Sequence, residues 1–169
     1  MKTLRTLLSL VFLGAMQLGI AQEKYEIVDG AGYLVLKGKS NTTNWELRSN
    51  QLKGDALLLM DENQLEHLSR VIVNIDANTI QNADNKRMTR KAQRTLLTEE
   101  NPIVTFFAYG YSQVNDGPMI IPGNIYLAGK NADLQFTFKA KTEEEIVWIV
   151  AEANAKFSDF GLDPPTDFG

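Results

Sequence analysis

Few side chains in this sequence stand where chemistry needs them. The tripeptide Asp-Phe-Gly occurs twice, at Asp159-Phe160-Gly161 and Asp167-Phe168-Gly169. In a protein kinase it would hold magnesium, but that also requires a glycine-rich loop, a strand lysine and a catalytic loop. None of these is in the sequence, so the aromatic rings are read as packing and the Gly and Pro residues as bends. His67 is the only histidine and there is no cysteine. Zinc takes three or four ligands of His, Cys or carboxylate type, so no metal site is expected. Ser69 lies near His67, yet no G-x-S-x-G elbow, orienting acid or oxyanion hole accompanies the pair, and a polar surface is the simpler reading. Acidic runs at Asp61-Glu62, Glu99-Glu100 and Glu143-Glu144-Glu145 sit at element ends, where carboxylates are solvated. They lack the spacing of a calcium loop. No catalytic residue and no cofactor is expected.

One cluster has more shape. Arg87, Arg90, Lys91 and Arg94 follow i, i+3, i+4, i+7 and line one face of a helix. Two readings stand: a solvated face opposite an apolar stripe, or a patch for an anionic head group such as a phosphate. Asn41-Thr42-Thr43 matches a glycosylation sequon and is taken as chance.

The elements that would position these groups follow from periodicity. Residues 1–21 form a charged start, an apolar run and small residues up to Ala21, the pattern of a secretory signal peptide cleaved near Ala21. The remainder, 22–169, is long enough for one domain with its own core. The 17 basic residues against 21 acidic ones argue against nucleic acid as a partner. Alternation is the dominant signal: Val71, Val73 and Ile75 point one way, as do Leu134, Phe136 and Phe138. Nine strands are expected, at 24–29, 32–41, 43–50, 55–60, 69–80, 102–113, 119–128, 132–142 and 145–157. Turns are expected at Gly30-Ala31-Gly32, Asn115-Asp116-Gly117-Pro118 and Gly129-Lys130-Asn131. Met88, Ala92 and Leu96 make an apolar stripe that predicts a helix over about 84–98. A shorter helical turn is expected at 61–67. The class is all-β, an antiparallel barrel or sandwich with one helical excursion.

Several stretches together resemble one family. GKSNTTNW (38–45), SRVIVNIDANTIQ (69–81), NPIVTFFA (101–108), GNIYLAGKNADLQFTFKAK (123–141) and FSDFGLDPPT (157–166) resemble, in order, segments of the YceI-like polyisoprenoid-binding proteins. The resemblance spans about 24–169. It implies a lipocalin-like antiparallel barrel that holds a long isoprenoid chain inside and carries no catalytic residues. By position it implies a lining of Val71, Val73, Ile75, Val104, Phe106, Ala108, Ile125, Leu127, Leu134, Phe136 and Phe138, with Trp45 and Trp148 closing an end. The same residues also suit a small barrel filled by its own side chains. The family often has His and Asp before the tryptophan; Thr43-Asn44 stand there instead. In the family the Pro-Pro segment leads into a closing strand, and nothing follows Gly169, so a barrel open by one strand is expected. An open edge invites pairing into a homodimer. The expected function is exported or periplasmic binding of an isoprenoid or similar lipid. The alternatives are an interaction module on a filled barrel and a hydrolase of unknown type.

Overall fold

The computed structural model describes residues 22–39, 44–61, 64–112 and 119–164. The signal-peptide reading at 1–21, the sequon at 41–43, Glu62, the turn at 115–118 and the second Asp-Phe-Gly lie outside them. Nine strands are present among the described residues: β1 (Glu23–Glu26), β2 (Leu34–Lys39), β3 (Asn44–Ser49), β4 (Leu52–Asp61), β5 (Gln64–Asp76), β6 (Ile103–Ser112), β7 (Met119–Leu127), β8 (Lys130–Glu143) and β9 (Ile146–Glu152). The helix α1 spans Lys86–Thr95. The fold is all-β: an antiparallel sheet in the order β1-β4-β5-β6-β7-β8-β9, plus the two-stranded sheet β2-β3. β5 and β8 stand three places apart, about 14 Å on a flat sheet, yet they come into contact. The sheet is therefore strongly curled, as a lipocalin-like barrel requires.

Two glycines permit the curl. A Cβ at Gly54 would lie 2.0 Å from the Ile72 carbonyl oxygen, so only glycine lets β4 approach β5 this closely. At Gly123, a Cβ would lie 3.0 Å from the Phe136 ring and 3.1 Å from Phe106. Pro122 before it has no N–H for a ladder, and the described pairing of β6 with β7 stops at Ala108↔Gly123.

The expected helical turn at 61–67 is not formed; residues 64–67 open β5. Leu65, Leu68 and Val71 are all buried at three-residue spacing, which imitates a helix. Register shifts against β4 skip Glu66 and Ser69, and each bulge returns the next apolar residue to the inner face. The strand expected to run to 80 ends at Asp76, and Ala77–Thr79 form a 3-10 turn. The strand expected to reach 157 ends at Glu152. The first Asp-Phe-Gly forms a bend, with the ring packed inward. It closes a 3-10 turn at Phe157–Phe160, where the Asp159 carboxylate accepts the Lys156 N–H at 2.7 Å. Phe160 is buried and Gly161 takes the left-handed conformation, φ 64°. The turn expected at 129–131 is centred one residue earlier, on Ala128 and Gly129, both at positive φ in a tight two-residue hairpin.

The core has two parts. One gathers Leu58, Leu65, Leu68, Ile121, Phe136 and Phe138 under the sheet. The other gathers Leu47, Ile75, Ile80, Met88, Ala92 and Leu96, so the apolar stripe of α1 plugs one end of the curl. Asn85 caps α1, its side chain accepting the Met88 N–H. Asn82 joins three parts. Its Oδ1 accepts from the Asp84 and Asn85 N–H groups, and its Nδ2 donates to the Glu46 carbonyl. Backbone bonds between Arg48 and Gln81 and a 2.6 Å Ser49–Thr79 hydroxyl contact hold the β2-β3 hairpin to the same segment.

Candidate binding site

The register of the sheet lines up transverse rows of inward side chains. One row runs Leu52, Ile75, Val104. The next runs Gly54, Val73, Phe106, Ile125, Ala132, and a third runs Ala56, Val71, Ala108, Gly123, Leu134. Phe136 and Phe138 continue the face opposite Ile121 and Met119. All eleven residues expected from the strands, Leu127 included, therefore share the concave face. Period-two alternation is the reason: each strand contributes every second residue to one side.

They differ in how deeply they are covered. Val71, Ile75, Val104, Ala108, Phe136 and Phe138 are buried. Val73, Phe106, Ile125, Leu127 and Leu134 remain half-buried. Val73, Phe106 and Ile125 have a neighbouring strand on both sides, so their remaining exposure faces the hollow of the sheet. The rows that border this hollow also hold small residues, Ala56, Ala108 and Ala132. Part of the hollow is taken up by three phenyl rings. Phe106 lies 4.6 Å from Phe136 and 6.0 Å from Phe138, centre to centre, and Phe136 lies 6.3 Å from Phe138.

The two tryptophans part company. Trp45 packs against the second core cluster and lies over Gly38, its cross-strand partner. A Cβ at Gly38 would come within 2.0 Å of the indole. Trp45 also borders an open depression of about 530 Å3, with Lys37, Lys39, Asn44 and Glu46 around it. On this rim the Arg48 guanidinium, hydrogen-bonded to Glu46 at 2.6 Å, holds that carboxyl below its usual range. Trp148 does not close an end. It pairs with Lys141 and is 41% exposed on the convex face, because Val147 and Ile149 take the inward positions of β9.

In α1, Arg87, Arg90 and Arg94 are exposed and Lys91 is half-buried. They lie off the Met88–Ala92–Leu96 stripe that meets the core. His67 and Ser69 lie within the bulged part of β5: His67 pairs with Leu59, and the register skips Ser69. Among the described residues no group of three His, Asp or Glu side chains is placed to hold a metal ion. No described helix is long and apolar enough to cross a membrane.

Sequence reasoning missed Gly54, Gly123 and Asn82. The glycines carried a signal, since a glycine inside an alternating strand marks close approach. Asn82 carried none.

A curled antiparallel sheet with an apolar, partly open inner face is the architecture of a lipocalin-like binding barrel. The model of the YceI-like domain matches residues 25–167, and the chain belongs to the YceI-like family. That family is polyisoprenoid-binding. No curated protein matches the chain.

Proposed function

We propose that the protein binds an isoprenoid or similar long-chain apolar lipid along the concave face of its sheet, without performing chemistry on it. The observation that carries this is the half-burial of Val73, Phe106 and Ile125 on inner positions of the sheet. These apolar side chains face a hollow, and filling it with a hydrocarbon chain removes them from water. Each methylene buried contributes about 0.8 kcal/mol, so a long chain needs no specific polar contact. The exposed cations of α1, Arg87, Arg90 and Arg94, are available to anionic head groups outside the barrel. The protein acts in the periplasm or outside the cell after cleavage near Ala21, which the N-terminal pattern supports. Its acidic balance speaks against nucleic acid. Two copies pair through the sheet edge, a reading supported by Ile146, Trp148 and Val150 exposed on edge strand β9; light scattering that finds only monomer rejects it.

The test is native mass spectrometry of the protein isolated from membrane-containing cells, followed by organic extraction. A bound apolar lipid is expected. Lipid-free protein that also fails to take up added polyprenol would reject the reading. A second reading, an interaction module with a filled core, has the three-phenyl cluster in its favour. It requires that interior substitutions leave function untouched while surface changes abolish it.

A further inference from the structure

Helix α1 reads KRMTRKAQRT, five cations in ten residues with no acid among them. Two of them, Lys86 and Arg87, stand in the first turn, where the helix dipole disfavours positive charge. Among the described residues, no ion pair engages Lys86, Arg87, Arg90 or Arg94. Glu99 and Glu100 lie beyond the helix C-terminus and are exposed. A chain of net charge −4 thus leaves these four cations of α1 without an ion pair among the described residues. The apolar stripe of the same helix is spent on the core, so Lys86, Arg87, Arg90 and Arg94 face solvent.

A second observation comes from the sheet. α1 follows β5 and precedes β6, and it packs where β4 begins and β7 ends. At that end Leu97, Ile103 and Tyr126 are exposed, and so is Tyr33, next to the Gly32 that packs on Leu52. Cations interspersed with exposed apolar and tyrosine side chains are the composition of a surface that rests on lipid head groups. The acidic turn Glu143-Glu144-Glu145 lies at the opposite end of β8.

We propose that α1 docks the protein on a bilayer rich in anionic phospholipid, with the α1 end of the barrel against the head groups. The anions that meet Arg87, Arg90 and Arg94 are then those of the bilayer. A phosphate on the bound cargo is not the partner, because these side chains lie on the side of the helix away from the interior. The inference deepens the lipid-binding reading by naming the surface that supplies the cargo, and it is tested without cargo.

The experiment is co-sedimentation with vesicles of phosphatidylcholine alone and of phosphatidylcholine mixed with phosphatidylglycerol, neither containing isoprenoid. Binding is expected only to the mixed vesicles, and it should weaken as salt rises. Each removed cation should lower binding about fivefold, and the triple variant Arg87→Gln, Arg90→Gln, Arg94→Gln about a hundredfold. Lys139→Gln with Lys141→Gln, away from the helix, should leave binding unchanged. If the triple variant does not fold, Arg87→Gln alone carries the test, with its fivefold loss. Equal binding to both vesicle types, or undiminished binding by a folded variant, overturns the proposal. So does an arginine-dependent affinity for soluble short-chain polyprenyl phosphate with no preference for the mixed vesicles. Val73→Thr should not affect docking, so a failure of docking and a failure of cargo binding read separately.

Discussion

Val71 and Val73 lie two residues apart on β5 and face the same way, yet they differ in what covers them. Val71 is 5% exposed beneath packed neighbours, and Val73 borders the hollow. Valine to threonine keeps the shape and replaces one methyl by a hydroxyl. At Val71 that hydroxyl is cut off from water as soon as the chain folds. At Val73 it keeps water in the free protein and loses it only when lipid fills the hollow. Burying an unpartnered hydroxyl costs about 1–3 kcal/mol in protein mutants. Val71→Thr should therefore lose about that much folding stability. Val73→Thr should lose little stability but bind a long-chain polyprenol about 5- to 100-fold more weakly, since 1.4 kcal/mol is tenfold in affinity. Urea unfolding measures the first quantity, and quenching of tryptophan emission on titration with polyprenol measures the second. The reasoning is refuted if Val73→Thr destabilises the free protein as much as Val71→Thr and leaves polyprenol affinity intact, for then the hollow is filled by side chains.

Three further outcomes are expected. Gly54→Ala places a methyl 2.0 Å from the Ile72 carbonyl oxygen and should cost about 1–3 kcal/mol or more in urea unfolding. Gly32→Ala, whose methyl meets Leu52 at an ordinary 3.5 Å, should be nearly neutral, and equal effects at the two sites would contradict the close-approach account. Asn82→Ala removes the bonds to Glu46, Asp84 and Asn85 and should cost about 1–3 kcal/mol. Hydrogen exchange should then quicken together in β3 and the first turn of α1; faster exchange in only one of them would show that Asn82 does not couple the two. Arg48 depresses the Glu46 pKa, so this carboxylate stabilises the fold above its unfolded pKa, and the contribution is lost as pH falls through the lower folded value. Arg48→Ala should move the Glu46 titration, followed by carboxyl NMR, up toward the ordinary value, and an unmoved curve would refute the assigned cause.

Much of the architecture was legible because strand alternation is local. Val71, Val73, Ile75, Leu134, Phe136 and Phe138 could be assigned to one face from spacing alone, and the structure puts them there. The stripe Met88, Ala92, Leu96 announced α1 in the same way. Reading failed where a local pattern had two meanings. Leu65, Leu68 and Val71 have helical spacing, and only pairing with β4 shows that two bulges produce it. Trp148 looks like a residue to bury, but its parity on β9 puts it on the convex side.

The amino-acid sequence by itself determined the class, the strands, the inward face and the family, because each rests on residue type and short-range spacing. Only the tertiary structure decided which inward residues are sealed and which are half-open. That difference depends on how far the sheet curls at Gly54 and Gly123, and on what α1 and the phenyl rings then cover. Curl and coverage arise from contacts between strands far apart in the chain, which no local spacing encodes.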